Sequence, residues 1–258
     1  MDQNHNMNYN KFESKHNYQE MGLSDEDVHN TDQPYDSIQT QMRLGFIRKV
    51  LGILGSQILL TVLFCLLSMS SKSFLQFQMN NMAIFFLCLI GTIVIPIVLI
   101  CFDSVARKVP TNYILLLTYT FFESYLVSFI CGISNPRLVL MAACMTFGMV
   151  LTLALYAFHT KTDFTMQGGA LFIFGCAFMM LSIFGMFTQN KIFHIILCSI
   201  GIIMFGFYIV YDLQMIIGKK SYLLDTDEYI LASFMLYTDI IGMFLEILRL
   251  LQLLGGDN

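Results

Sequence analysis

The chain has 258 residues, 56% of them hydrophobic and only 12% charged, with a formal net charge of −4. Soluble domains carry about 25% charged residues, so this composition excludes an ordinary soluble globule and predicts a polytopic protein partnered by the lipid bilayer. Nucleic-acid binding is excluded as well, because there is no basic face and no recognition motif.

Residues 1–42 are rich in Asn, Gln, His and Asp and lack apolar periodicity, which predicts a disordered tail. Met1 is not followed by a basic region and an apolar core, so no cleavable signal peptide is expected. Residues 43–258 are then expected to form one membrane domain. Seven apolar runs follow, at about 47–69, 82–102, 113–133, 138–158, 169–188, 192–217 and 230–254. Each is near the roughly 20 residues that cross a hydrocarbon core as helix. None alternates as a membrane β-strand does, so the fold class is all-α, a seven-transmembrane-helix bundle.

Along the chain, Pro96 falls inside the second run, where a kink is expected. Arg107 and Lys108 follow that run; they are ordinary positive-inside charge or a cation able to reach acids in the bundle. Glu123 lies in the middle of the third run, and a carboxylate facing lipid is costly, so it should point inward. Ser134–Asn135–Pro136–Arg137 is a tight-turn signal, and Gly168, Gly169 and Gly218 mark segment ends. His194 opens the sixth run and reads as a satisfied interfacial histidine. Asp212 interrupts the same run six residues before Gly218, which places it roughly 9 Å deep. Asp239 lies ten residues beyond Tyr229 in the seventh run, roughly 15 Å deep by the same rise. Glu246 comes two helical turns later on the same face. It either extends an acidic path or pairs with Arg249 at i,i+3 spacing. These two acids leave open whether the seventh run spans or re-enters.

Arg43, Arg48, Lys49, Arg107, Lys108, Lys161, Lys219 and Lys220 flank one side of the runs. Lys72, Arg137, Lys191 and Arg249 flank the other, so the count is eight against four. The positive-inside rule then places the N-terminus in the cytosol. The seven cysteines all fall in apolar runs without metal-ligand spacing and read as small core hydrophobes, not a disulfide framework. No internal repeat supports an inverted-repeat transporter.

Asp212 and Asp239 sit on antiparallel neighbours joined by a short loop, so the two carboxylates are expected to meet. Two carboxylates sharing a low-dielectric site cannot both ionise cheaply, and such a pair holds one proton and titrates as a unit. Deprotonated, it offers hard oxygen ligands to Ca²⁺; protonated, it is a hydrogen-bonded latch. The alternative is that each aspartate bonds a neighbouring helix and only holds the bundle together.

These residues resemble a family. Phe205-Gly-Phe-Tyr-Ile-Val-Tyr-Asp-Leu-Gln-Met, Glu228-Tyr-Ile-Leu-Ala and Leu236-Tyr-Thr-Asp-Ile-Ile are similar to the transmembrane Bax-inhibitor-motif proteins. Phe46-Ile-Arg-Lys-Val with Gln57, Val109-Pro-Thr-Asn with Phe122-Glu-Ser-Tyr, and Thr152-Leu-Ala-Leu-Tyr-Ala-Phe with Lys161-Thr-Asp-Phe are similar to their lifeguard branch. The match runs over about residues 42–254. The resemblance implies seven helices, a pH-sensitive Ca²⁺ leak in endoplasmic reticulum, Golgi or endosomal membranes, and suppression of apoptotic cell death. It implies Asp212 and Asp239 as the pH-sensing gate and transient Ca²⁺ ligands, with Ca²⁺ the transported ion and no cofactor. It implies Arg107, with Lys108 competing, as the latch cation. Gly242 and Glu246 depart from the family pattern, which has Asn and an aromatic or amide there.

Two other functions compete with the leak. The chain is a scaffold for cell-death regulators or calcium-release channels without transport, or an intramembrane aspartyl protease. The protease reading lacks the Gly-x-Gly-Asp context and a following Pro-Ala-Leu helix, and no enzyme is expected.

Overall fold

The computed structural model describes residues 25–102, 108–218 and 224–255. The chain divides into two units, Met1–Gly45 and Phe46–Asn258. Eight α-helices occur among the described residues: α1 Asp25–Ser70, α2 Lys72–Asn80, α3 Met82–Cys101, α4 Thr111–Ile133, α5 Pro136–His159, α6 Gly168–Gly185, α7 Lys191–Ile217 and α8 Tyr229–Gly255. All but α2 are long and apolar enough to cross a membrane, α1 over Thr40–Ser70. The seven expected runs are these helices. α1 begins at Asp25, inside the stretch read as a tail; residues 1–24 lie outside the described residues.

Local chemistry sets the helix ends. Asn135 accepts a hydrogen bond from the Arg137 amide at 3.0 Å, with Pro136 at the first helical position of α5. Asn190 accepts from Ile192 N at 2.9 Å and caps α7 in the same way. Such caps are worth about 1 kcal/mol each. α7 ends at Gly218, whose φ of 73° is the left-handed conformation that glycine adopts without a Cβ penalty. α3 continues through Pro96, because neighbouring groups in a membrane bundle tolerate the lost backbone bond.

α4 and α8 are the central helices. Within their spanning windows 50% and 56% of residues are buried, against 11% in α6. The core joins Phe46, Val50 and Leu54 of α1 to Leu116 and Tyr119 of α4, Ile209 and Ile216 of α7, and Tyr237, Met243 and Ile247 of α8. Outer faces stay apolar: Leu140, Phe147, Phe172 and Ile173 are exposed, as helices facing lipid require. The cysteines correct their sequence reading for the same reason. Cys88, Cys131 and Cys198 are buried, but Cys101, Cys144 and Cys176 lie on outer faces.

The short helix α2 falls where a polar break was expected. Ser71 caps it by accepting from Phe74 N at 3.3 Å, and Gln78 turns inward, 1% exposed. Its Nε2 donates to Ser128 Oγ at 3.0 Å, and its Oε1 accepts from Ser68 Oγ at 2.9 Å. One side chain therefore docks α2 on α1 and α4. With Trp absent, tyrosine forms an interfacial cluster: Tyr113 and Tyr229 rings lie 6.0 Å apart, and Lys49 Nζ sits 5.3 Å from the Tyr229 ring.

Candidate functional site

The close approach of α7 and α8 begins with two glycines. A Cβ on Gly242 would overlap the Phe205 ring, and one on Gly201 would lie 3.0 Å from Glu246 Cγ. Their small size lets the helices pack along much of their length, as small residues do at membrane-helix interfaces. Gly242 has a local reason to lack a side chain: the Phe205 ring occupies the volume.

Asp212 and Asp239 come together in this interface, with their carboxyl groups within hydrogen-bonding reach of each other. Asp212 is 3% exposed, and the stretch from it to Ile217 is buried throughout. Asp239 Oδ2 is buried and has no hydrogen-bond partner. The seventh run is one unbroken helix, long and apolar enough to cross a membrane, so Asp239 lies within a continuous helix and not at a turn. Tyr119 of α4 donates to Thr238 Oγ1 at 3.2 Å, because the threonine proton already goes to Phe234 O at 2.9 Å. Tyr208, one turn before Asp212, donates to Leu171 O at 2.8 Å and docks α7 on α6.

The other candidates occupy different places. Glu123 is half-buried on α4, next to Tyr119 and Tyr237. Glu246 turns toward Cys198 and Gly201 on α7, and its Oε2 is buried without a hydrogen-bond partner. The Arg249 charge acts on Glu246, while its Nη2 donates to His194 Nδ1 at 2.9 Å. The opposite His194 nitrogen lies 2.8 Å from Thr188 O. An arginine can only donate, so Nδ1 accepts and the histidine proton sits on Nε2. Lys108 is exposed ahead of α4. Arg107 lies outside the described residues.

Two polar assemblies escaped the sequence reading. In one, Gln57 donates to Thr120 Oγ1 at 2.9 Å, while Ser124 Oγ and Tyr237 OH lie 2.9 and 2.8 Å from Thr61 Oγ1. This seam stitches α1 to α4 and α8. Its signal was present as polar residues recurring at helical spacing, Gln57, Thr61 and Ser68 on α1 facing Thr120, Ser124 and Ser128 on α4. In the other, Gln214 of α7, 1% exposed, bonds the backbone of the segment between α5 and α6. Nothing in the pattern of α7 signals that contact, because the partner groups are main chain.

Comparison with known proteins adds to this geometry. The profile of a family described as inhibitor of apoptosis-promoting Bax1 matches residues 43–256. Protein lifeguard 3 of Homo sapiens is 27% identical over 225 residues, 84% of this chain and 70% of the relative. A BI1-like protein of Arabidopsis thaliana is 35% identical over 235 residues, 85% and 84% of the two chains. The Golgi anti-apoptotic protein of Vaccinia virus (strain Lister) is 30% identical over 227 residues, 88% and 93% of the two chains.

Proposed function

The chain belongs to the transmembrane Bax-inhibitor-motif family, in its lifeguard branch, and from that premise we propose that it is a pH-sensitive calcium leak of an intracellular membrane that restrains apoptotic cell death. The observation that carries the reading is the carboxyl pair on two antiparallel spans, with the buried Asp239 Oδ2 left unpartnered. A membrane protein keeps such an expensive arrangement for ion or proton handling more readily than for stability.

The mechanism follows from proton count. With one proton shared, the two carboxyls form a single hydrogen bond that pins α7 to α8. Without it, two like charges at that separation repel in a low-dielectric site, and their oxygens become ligands for a divalent cation. Calcium is cargo in this scheme. Two carboxylates with the nearby Thr238 and Tyr119 hydroxyls fall short of the 6–8 oxygens of a resident site, which suits an ion that keeps part of its water shell while passing. Among endoplasmic reticulum, Golgi and endosomal membranes, the name of the viral relative favours the Golgi.

The test is calcium flux from proteoliposomes measured across a pH series. Asp212→Asn and Asp239→Asn are each expected to keep the bundle folded and to shift the pH dependence to lower pH, since a lone carboxyl has no like-charged neighbour to hold its proton. A profile unchanged in both variants would falsify the gate assignment. Protection of cells against an apoptotic stimulus is expected to fall with the same variants. Full protection from a variant that no longer conducts would instead favour a scaffold that binds death regulators or calcium-release channels.

A further inference from the structure

The most completely bonded polar side chain near the pair is one that the leak reading does not use. Gln214 lies two residues beyond Asp212 on α7 and is 1% exposed. Its Oε1 accepts from Phe164 N at 2.9 Å, and its Nε2 donates to Thr162 O at 3.0 Å. The carbonyl of one residue and the amide of the next but one are the groups that a neighbouring strand would pair. The glutamine amide substitutes for that strand.

The segment it holds is itself tightly built. Thr162 N donates to Thr160 Oγ1 at 3.2 Å, and Asp163 Oδ1 accepts from Thr165 N at 3.0 Å and Thr165 Oγ1 at 2.6 Å. Phe164 sets its ring against Tyr156 of α5 and Phe207 of α7, with centroids 6.1 and 6.3 Å apart. The 160–167 segment is therefore a short stiff strap between α5 and α6, fastened to the aspartate-bearing helix at the end of the bundle nearest Asp212. Tyr208 ties the same helix to α6, so the tether at Gln214 completes a row of contacts along α7.

We infer that Gln214 is a positioning residue for the carboxyl pair: from a face of α7 roughly 200° from that of Asp212 it clamps the 160–167 strap to the end of this helix, and release of that clamp frees the end of α7 to shift and admits an ion to the pair. The transport half of the inference rests on the calcium-leak reading; the clamp does not.

The experiment is amide hydrogen exchange at Phe164 in the full chain, in lipid nanodiscs, combined with calcium flux of the same proteins in liposomes. Gln214→Met keeps the length and removes both bonds. Phe164 exchange should then accelerate about two- to twelvefold, the effect of losing a net hydrogen bond, and leak should rise several-fold where the wild type is tightest. Gln214→Glu keeps the acceptor for Phe164 N–H, and it keeps the donor to Thr162 O only while the buried carboxyl is protonated. It should preserve Phe164 protection and fall between the two in leak, a rescue that a packing defect would not show. Asp212→Asn should change Phe164 exchange when Gln214 is present and leave it unaltered beside Gln214→Met. That coupling reads the clamp even if the wild type carries no calcium, an outcome that sinks the leak reading alone. Wild-type protection of Phe164 in Gln214→Met overturns the inference, as does faster exchange with no change in leak from a conducting protein.

Discussion

Asp239 Oδ2 shows how a single atom constrains the interpretation. A buried acceptor without a partner costs about 1–3 kcal/mol, and this one stands beside a second carboxyl. Replacement by a leucine would be cheaper for folding, so the arrangement is better explained by what the pair does than by what it stabilises. The glycine facing Phe205 works in the opposite sense, removing bulk so that the pair can meet. Gly242→Ala places a methyl where the Phe205 ring lies. Overpacking of this kind costs about 1–3 kcal/mol, read as a lower melting temperature in detergent. The double change Gly242→Ala with Phe205→Leu should recover most of that loss, because the leucine vacates the contested volume. If the single variant melts with the wild type, Phe205 yields freely and Gly242 does not set the helix separation.

At the scale of elements, the bundle is held by polar stitches as much as by apolar packing. α2 is the clearest case: Gln78 bonds Ser68, Ser128 and, at 3.3 Å, the Tyr125 carbonyl. Gln78→Leu removes all three, and in a membrane protein each such bond is worth about 0.6–2 kcal/mol. The expected result is faster amide exchange across 72–80 with the exchange of α7 and α8 unchanged. Equal acceleration in all three helices would show that α2 supports the whole bundle and is not a docked accessory. The spans themselves were legible in the sequence, because roughly 20 consecutive apolar residues have few other solutions. α2 was not: nine residues carrying Gln76, Gln78 and Asn80 look like a polar loop until one glutamine is seen to turn inward. The carboxyl pair was legible because charge inside an apolar run stands out. The Gln57–Thr61–Tyr237 seam and the Gln214 clamp were not, since neutral polar residues are common in spans and their partners lie far along the chain or on the backbone.

For the whole molecule, the question is whether α8 carries the chain across the bilayer a seventh time. Two acids in its sequence argue against insertion, each costing about 2.5–3.5 kcal/mol at a helix centre on insertion scales. The bundle offsets this by turning both inward, Asp239 to Asp212 and Glu246 to Cys198 and Gly201, while the outer faces of the spans remain apolar. α8 is also the most buried span, with 56% of its window inside the protein, so little of its surface faces lipid to oppose crossing. An odd number of spans would put the two termini on opposite sides, and the positive-inside rule applied to the Lys and Arg count predicts a cytosolic N-terminal side. In sealed microsomes, a tag ahead of α1 should be removed by added protease and a tag after Asn258 should survive until detergent is added. Cleavage of both tags in intact vesicles would mean that α8 does not cross. The carboxyl pair would then lie in a helical hairpin open to one side of the membrane, and a leak gated by it would lose its second entrance.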